Sequence, residues 1–314
     1  MIRDEKILVT GATGALARPM VRFLARHNEV WALARFSDES AREALEEAGI
    51  HTLRVDLATD DLGCVPEDFD HLLHFAFTRR PSGHFMEAIE VNAIGAGRIL
   101  QRCQRARAAL VVSAATLYTP HPDPFNAYRE TDDIGAVFAP WGPSSPVSKV
   151  SLEAVTRFAA RAFELPTVIV RPSVPYGWPP EGCAPDMVTN VIDSVLEGRP
   201  VFSVHDPQPL SVIHVDDMCE QLEPLLDAAS VPARILNWCS DEVVTVQEIA
   251  ESVGAQTGTP PRFEVATPPG VARGAVLDTT RLRPIVGPCR RTLRDDLEAL
   301  VERRRRALEP SRES

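Results

Sequence analysis

The chain has 314 residues, which is long enough for a large hydrophobic core or for two lobes that share one sheet. Acidic residues outnumber basic ones, 44 to 33, and the formal net charge of −11 would repel a phosphate backbone, so we expect no nucleic acid partner. No apolar run approaches the roughly eighteen residues that span a bilayer, and the N-terminus leads directly into a strand pattern. We therefore expect a cytoplasmic protein without membrane contact.

The cysteines and histidines do not form the spacings of a metal site. The six cysteines are far apart and include no C-x-x-C pair, so scattered thiols in a reducing compartment are a better interpretation than disulfides or zinc. His71 and His74 are three residues apart in a predicted strand, where side chains at that spacing point to opposite faces. We expect no metal.

The first half of the chain alternates short apolar runs with helical patterns, which is typical of parallel strands joined by crossover helices. The predicted strands are Lys6–Thr10, Glu29–Ala34, Ile50–Val55, His71–Ala76, Ala109–Ser113 and Thr167–Arg171. The predicted helices are Ala15–Arg26, Glu39–Ala48, Phe85–Arg105 and Val147–Phe163. This order predicts an α/β fold with a doubly wound parallel sheet of the Rossmann type.

The second half of the chain has a different composition and a less regular pattern of apolar residues. Proline and glycine are dense from Pro172 to Pro185, which predicts loops there. Later elements are predicted as strands Leu210–Val215 and Arg234–Trp238 and as helices Val246–Val253 and Thr292–Arg306. We expect residues 1–172 to form a dinucleotide-binding domain, with strands at about 208–238 returning to its sheet. Residues 173–207 and 239–309 would then form a smaller C-terminal substrate-binding lobe, and 310–314 a frayed tail.

A glycine turn follows the first predicted strand, in the segment TGATGALA at 10–17. Gly11 permits a tight turn, and Gly14 lets the backbone approach a pyrophosphate at the N-terminus of the following helix. Ala17 stands where a third glycine often packs helix against strand. Because the pattern has the strand–turn–helix context that it needs, it predicts a dinucleotide site.

The end of the second strand indicates which dinucleotide is bound. An acid there would hold the ribose 2′-hydroxyl of NAD, whereas Arg35 suits the 2′-phosphate of NADP, and Arg18 could join it. Asp56, which closes the third strand, could hydrogen-bond the adenine amino group. The sequence therefore predicts NADP (NADPH) as the cofactor.

Six further segments occur in an order that resembles the extended short-chain dehydrogenase/reductase family, which includes sugar-nucleotide epimerases and dehydratases. They are HFA at 74–76, VNAIG at 91–95, VVSAATLY at 111–118, Arg171-Pro172 with Tyr176-Gly177, IHVDD at 213–217 and LDT at 277–279. The resemblance implies the Rossmann fold and an active site containing Asn92 and Lys149. The expected cofactor-binding residues are Gly11, Thr13, Gly14, Ala15, Leu16, Arg35, Asp56, Leu57, Phe75, Ala76, Lys149, Arg171, Pro172 and Val174.

The sequence departs from this family at two catalytic positions. The family's tyrosine acid lies four residues before its lysine, and here Ser145 occupies that place; the catalytic serine or threonine falls at Ala114. Serine cannot replace tyrosine, because its side chain is shorter and its alcohol is a far weaker acid than a phenol. The remaining candidates for the missing proton donor are Thr116 and Tyr118, on the loop after the fifth strand.

Three functions stay open at this point. The first is an atypical NADP(H)-dependent reductase of a carbonyl on a small, aromatic or polyketide-like metabolite, with the proton supplied by water, Thr116, Tyr118 or the substrate itself. The second is a cyclase, lyase or isomerase that retains the cofactor, and the third is a non-catalytic dinucleotide sensor. Few basic residues lie between 178 and 200, so we expect a smaller or uncharged substrate rather than a sugar nucleotide. A homodimer through helices 85–105 and 147–163 is also expected.

Overall fold

The structure is a computed structural model, and it describes residues 2–135, 137–139, 142–177 and 183–308. In chain order the strands are β1 (Lys6–Thr10), β2 (Glu29–Ala34), β3 (His51–Arg54), β4 (His71–His74), β5 (Ala108–Val112), β6 (Ala127–Tyr128), β7 (Thr167–Pro172), β8 (Val174–Tyr176), β9 (Val201–Ser203), β10 (Pro209–His214), β11 (Arg234–Trp238), β12 (Val243–Thr245), β13 (Phe263–Val265) and β14 (Val276–Leu277). The predicted tail at 310–314 lies outside the described residues.

The helices connect these strands or cover their faces. They are α1 (Ala17–Leu24), α2 (Glu39–Glu46), α3 (Phe85–Ile89), α4 (Gly95–Arg102), α5 (Ser145–Ala162), α6 (Met187–Leu196), α7 (Val215–Glu220), α8 (Leu222–Asp227), α9 (Val246–Thr257), α10 (Arg283–Val286) and α11 (Leu293–Leu308). A π-helical segment, Glu90–Ile94, joins α3 to α4, so the predicted helix over 85–105 is three consecutive pieces.

The central sheet of the described chain contains seven parallel strands in the order β11-β7-β5-β4-β1-β2-β3. One face is covered by α1, α7 and α8, and the other by α4 and α5, with an apolar cluster on each side. The strand order reverses between β1 and β4, which is where ligands bind in open sheets of this kind. The predicted doubly wound α/β fold is confirmed.

The smaller lobe has its own core. Strands β12, β10 and β8 form a separate three-stranded sheet, and α6, α9 and α11 pack around it. Helix α9 begins with a capping box between Thr245 and Glu248 and ends at Gly258, whose left-handed conformation suits glycine. Of the two strands expected to return to the main sheet, Arg234–Trp238 does so, whereas Pro209–His214 pairs with β8 and β12 instead. The reason is that β8, inside the proline-rich stretch interpreted as loops, supplies a parallel partner for it.

Apolar side chains are exposed along the outer faces of α3 and α5 and of the π-helical segment between α3 and α4. They include Met86, Ile94, Val147 and Phe158, of which Phe158 is 68% exposed. The homodimer expected through these helices stays a prediction. In the described ranges, no helix combines the length and the apolar character needed to cross a membrane.

A buried ion pair ties the helix layer to the sheet. The Arg171 guanidinium at the end of β7 donates two hydrogen bonds to the Glu153 carboxylate on α5, at 2.8 and 2.7 Å, and both side chains are less than 5% exposed. Arg171 also donates to the Tyr118 hydroxyl (3.0 Å), which in turn donates to Asn237 Oδ1 on β11 (2.6 Å). Helix α5, strand β7 and strand β11 are thereby joined by one charged network.

Breaking this pair by Glu153→Gln is expected to lower the free energy of unfolding by about 3–5 kcal/mol, because it leaves the Arg171 charge buried without a counterion. Urea denaturation at neutral pH measures the loss. The matched control is Asp68→Asn, which removes a carboxylate that is 73% exposed and paired with Lys6 at the surface; its expected cost is below about 1 kcal/mol. Equal losses in the two variants would contradict the prediction.

Candidate functional site

The glycine turn lies at the carboxyl end of β1, pressed against the loop that follows β4. Gly11 has a φ of +70°, and a Cβ atom there would lie 2.6 Å from the backbone nitrogen of Ala76, so only glycine fits. The N–H of Gly11 donates to the carbonyl of Leu33 at the end of β2 (2.8 Å). Gly14 and Ala15 are exposed on the outer side of the turn, where a ligand can reach their backbone.

Helix α1 begins without a side-chain cap. Its N-cap residue is Leu16, which has no side-chain oxygen to accept from the first-turn N–H groups. By contrast, Asp38 caps α2 and Asp186 caps α6. The first turn of α1 therefore has no acidic or hydroxyl side chain as a cap and directs its positive dipole end toward the glycine turn, an arrangement suited to a phosphate group.

The two predicted arginines lie at the same end of the sheet. Arg35 directly follows β2, is exposed, and has no hydrogen bond or ion pair with any described residue. Arg18 donates to the carbonyl of Thr13 in the glycine turn (3.0 Å). Asp56 is half-buried, and its Oδ1 accepts from the N–H of Ala58 (2.9 Å). Leu57 is buried in the core beside α4.

The loop after β4 forms the opposite wall. The N–H of Phe75 donates to the carbonyl of Thr10 (3.1 Å), and the hydroxyl of Thr10 lies 2.8 Å from Nδ1 of His74. His74 is fully buried, and burial lowers its pKa to about 3, so its imidazole is neutral. Phe75 and Ala76 are thus held against the glycine turn, and their contact with a cofactor stays a prediction.

Lys149 lies in the first turns of α5 with its side chain in the interior. Its ammonium Nζ donates to the carbonyl of Val112 at the end of β5 (2.7 Å) and stands 3.9 Å from the centre of the Phe77 ring. Burial lowers the pKa of Lys149 to about 7; Glu153 raises it, and Arg79 lowers it further. A lysine that is partly neutral near physiological pH, at the carboxyl end of a parallel strand, is an expected feature of an active site.

Asn92 positions the loop beyond Phe77. It is fully buried in the π-helical segment, where its Oδ1 accepts from the N–H of Thr78 (2.7 Å) and its Nδ2 donates to the carbonyl of Thr78 (2.8 Å) and to Ser148 Oγ (3.0 Å). Asn92 therefore joins the loop after β4 to the start of α5. These hydrogen bonds hold the loop in place, and a part for Asn92 in catalysis stays a prediction.

The three tyrosines of the chain all have hydroxyls bound elsewhere. Tyr118 is 1% exposed and engaged with Asn237 and Arg171, and burial raises its pKa to about 12. Tyr128 accepts from the N–H of His121, and Tyr176 donates to Asp296. The structure therefore corrects the interpretation of Tyr118 as a substitute acid: its hydroxyl is built into the interior network.

Ser145 and Thr116 are placed differently. Ser145 is 7% exposed in the first turn of α5, one turn before Lys149, and its N–H donates to the carbonyl of Gly142 (2.8 Å). Thr116 is half-buried on a short 3-10 turn after β5, and its hydroxyl has no hydrogen bond to the described residues. Of the two predicted substitute donors, Thr116 alone has an available hydroxyl.

Three predicted cofactor residues lie in strands, and for Pro172 and Val174 cofactor contact stays a prediction. The guanidinium of Arg171 points into the interior to meet Glu153, because an unpaired carboxylate there would be too costly to bury. Pro172 is buried opposite Trp238, and Val174 pairs with Val212 in the small sheet. Arg171 is a structural residue, which corrects its assignment to cofactor binding.

Two site residues were missed in the sequence interpretation, Phe77 and Arg79. Both follow the HFA segment, and neither belongs to a recurring motif. The signal that would have found them is their position directly beyond the end of β4, where parallel sheets place ligand-binding loops. Within the described ranges, no group of three or more His, Cys, Asp or Glu side chains is arranged to hold a metal ion.

The buried lysine predicts a specific dependence of stability on pH. Between pH 7 and about 10.4 the unfolded chain binds a proton at Lys149 that the folded chain has released, so the stability from this residue rises with pH. Lys149→Met does not bury an amine, so at pH 7 it should be more stable than the wild type. Because the cost of the buried amine falls as pH rises through that range, the difference in the free energy of unfolding between the variant and the wild type should shrink. Urea denaturation of cofactor-free protein measures this. Lys6 is the chain's other lysine, and Lys6→Met is the control; a constant difference for Lys149→Met would contradict the assignment.

Residues 7–238 match the model of the NAD dependent epimerase/dehydratase family. No curated protein matches the sequence. Solved structures share the fold over nearly their whole length. UDP-glucuronic acid 4-epimerase from Bacillus cereus, in complex with UDP-glucuronic acid and NAD, is 19% identical over 96% of this chain and 99% of its own, with a TM-score of 0.80.

Two further structures are similar at the same level. UDP-glucose 4-epimerase from Thermus thermophilus, in complex with NAD, is 21% identical over 96% of this chain and 99% of its own, with a TM-score of 0.76. dTDP-glucose 4,6-dehydratase from Bacillus anthracis, in complex with NAD, is 17% identical over 95% and 96%, with a TM-score of 0.77. These identities establish a shared fold, and the family match covers well over half of the sequence. The chain therefore belongs to the NAD dependent epimerase/dehydratase family.

Proposed function

We propose that this protein is an NADP(H)-dependent reductase that acts on the carbonyl group of a small molecule without a tyrosine acid. Arg35 is the observation that carries the cofactor assignment. It stands exposed and unpartnered among the described residues, at the strand end where an acid would be needed to hold the 2′-hydroxyl of NAD. A guanidinium at this place suits a phosphate that carries two negative charges.

The rest of the cleft fits such a dinucleotide. The uncapped first turn of α1 and the exposed backbone of Gly14 and Ala15 would bind the pyrophosphate. Lys149, at the far side beyond the loop after β4, would hold the nicotinamide ribose, as the family resemblance implies. The similar structures named above contain NAD, so a preference for the phosphorylated form would distinguish this chain from them.

The chemistry expected here is hydride addition to a carbonyl, and the dinucleotide supplies the hydride when it is bound. As a carbonyl is reduced, negative charge develops on its oxygen, and a nearby ammonium stabilises that charge. Lys149 is the buried amine of this cleft, and the fraction that is protonated near neutral pH supplies the positive charge. Because this charge is in place before the reaction, it could stabilise the developing oxyanion, which favours a reductase over a protein that only binds the dinucleotide.

The proton needs another source than tyrosine. The Thr116 hydroxyl is free to orient a water molecule, although an alcohol is itself a weak acid. A phenol on the substrate, next to the reacting carbonyl, would be a stronger donor, and this favours a small aromatic or polyketide-like ketone. Both routes leave Lys149 to stabilise charge and Asn92 to keep the loop in place.

The assignment is tested first by cofactor binding. Arg35→Ala is expected to weaken NADPH binding by about 10- to 100-fold, because a charge-assisted contact to the 2′-phosphate is lost, and to leave NADH binding unchanged. Calorimetric titration measures both. Arg54→Ala is the control, since Arg54 ends the neighbouring strand but is paired with Glu39. Equal losses for NADPH and NADH in Arg35→Ala would count against NADP.

Turnover is followed through the near-ultraviolet absorbance of NADPH in the presence of small aromatic ketones. Loss of the absorbance in proportion to alcohol formed supports the reductase. Turnover that leaves the bound cofactor unchanged would instead assign a non-redox cyclase, lyase or isomerase. Tight NADPH binding with no turnover of any ketone would instead indicate a non-catalytic dinucleotide sensor.

Restoring the missing groups is a second test of the mechanism. The double variant Ser145→Tyr with Ala114→Ser is expected to raise kcat for ketones that lack a phenol by about 10²–10⁴-fold, because it adds a positioned acid one turn before Lys149. Ser145→Phe with Ala114→Ser adds a similar ring without the hydroxyl and is the control. If both double variants behave alike, proton transfer by this position is not what limits the reaction.

A further inference from the structure

We propose that Arg79 binds a carboxylate on the substrate, so that the ligand of this cleft is a keto acid rather than a neutral ketone. This inference rests on the proposed function, because it assigns the substrate class of the same cleft. Arg79 lies on the loop after β4, and none of the family-like segments of the sequence includes it.

The backbone on both sides of Arg79 is fixed by side chains. The N–H of Thr78 donates to Asn92 Oδ1 (2.7 Å), and the N–H of Arg80 donates to Ser144 Oγ (2.8 Å). Both acceptors are fully buried. The backbone of Arg79 is therefore fixed before a ligand binds, which reduces the conformational entropy lost on binding.

The stem of Arg79 is placed beside the first turn of α5. A Cβ atom on Gly142 would lie 3.2 Å from the Cδ atom of Arg79, so the two residues are in contact. Gly142 in turn accepts the N–H of Ser145, the residue at the position of the missing tyrosine. Arg79 is therefore next to the place where the family resemblance puts the reacting carbonyl.

The guanidinium of Arg79 has no partner among the described residues and is exposed at the mouth of the cleft. Its neighbour Arg80 lies 3.4 Å from the carboxylate of Glu87. In a chain with a net charge of −11, an arginine left without an acid at a cleft mouth is available for an anion from outside.

The charges around Lys149 leave this edge of the sheet positive. Burial first lowers the pKa of Lys149, Glu153 raises it, and the charge of Arg79 lowers it again, so Arg79 acts directly on the buried amine. Glu153 already receives two hydrogen bonds from Arg171, and His74 is neutral. A ligand carboxylate would compensate this charge and accept two parallel hydrogen bonds from the guanidinium.

The expectation of an uncharged substrate came from residues 178–200, which contain few basic groups. Arg79 is on the dinucleotide-binding side of the cleft, outside that range, so the count of basic residues did not include it. One arginine suits a single carboxylate near the carbonyl. It does not supply the several cations that a sugar pyrophosphate requires.

The test is calorimetric titration of benzoylformate and of its methyl ester, which is the same ketone without the charge. We expect the wild type to bind the acid more tightly than the ester. Arg79→Gln should weaken binding of the acid by about 10- to 100-fold and leave the ester unchanged, with Arg79→Lys between them. Arg80→Gln, one residue away, is the matched control and should bind both probes as the wild type does.

The titrations are made on cofactor-free and NADPH-loaded protein, so that this inference and the proposed function fail separately. If NADPH does not bind but the acid still depends on Arg79, the reductase fails and the carboxylate site stands. The inference is overturned if the wild type does not prefer the acid or if Arg79→Gln weakens acid and ester equally. It is also overturned if that variant loses NADPH affinity to the same extent, or if phenyl phosphate binds more tightly than benzoylformate.

Discussion

The candidate site depends on the ion pair between Glu153 and Arg171. Glu153 is one helical turn beyond Lys149 on the same face of α5, so the contact with β7 sets both the rotation of the helix and its position along the sheet. Only in that position does the Lys149 amine meet the carbonyl of Val112. The direction of the buried Lys149 side chain is therefore set by the neighbouring salt bridge between Glu153 and Arg171, which is itself buried.

Most of the architecture could be predicted from the sequence, because strands buried on both faces and amphipathic helices leave periodic patterns. The glycine turn was predictable as well, since Gly11 meets a steric limit that only glycine satisfies. Strand β8 was not, because three residues with a proline in the middle carry no recognisable periodicity, and its pairing decides where Pro209–His214 goes. The role of Arg171 could not be predicted either, because the sequence does not show that its guanidinium is buried against Glu153 rather than directed at a cofactor.

Among the described residues, no tyrosine hydroxyl is available to act as an acid beside Lys149. Each tyrosine hydroxyl already has a hydrogen-bond partner, and moving Tyr118 would leave the Oδ1 atom of Asn237 without its donor in the interior and remove one of the hydrogen bonds of Arg171. Asn92 and Lys149, which the family resemblance assigns to the active site, are therefore accompanied by small side chains at positions 114 and 145. Under the proposed function, such a site would hold and polarise a carbonyl compound, with the proton supplied by the ligand or by water.

The rarity of lysine gives the buried amine a practical consequence. Lys149 and Lys6 are the only two lysines in 314 residues, and the remaining basic side chains of the Lys and Arg set are guanidinium groups, which do not deprotonate in proteins. Lys6 is held by Asp68 at the surface, whereas Lys149 is partly unprotonated near neutrality. The Lys149 side chain is only 4% exposed, so a reagent that attacks neutral amines would label it only where it gains access to the interior. Covalent labelling can follow access to the cleft without any engineered probe.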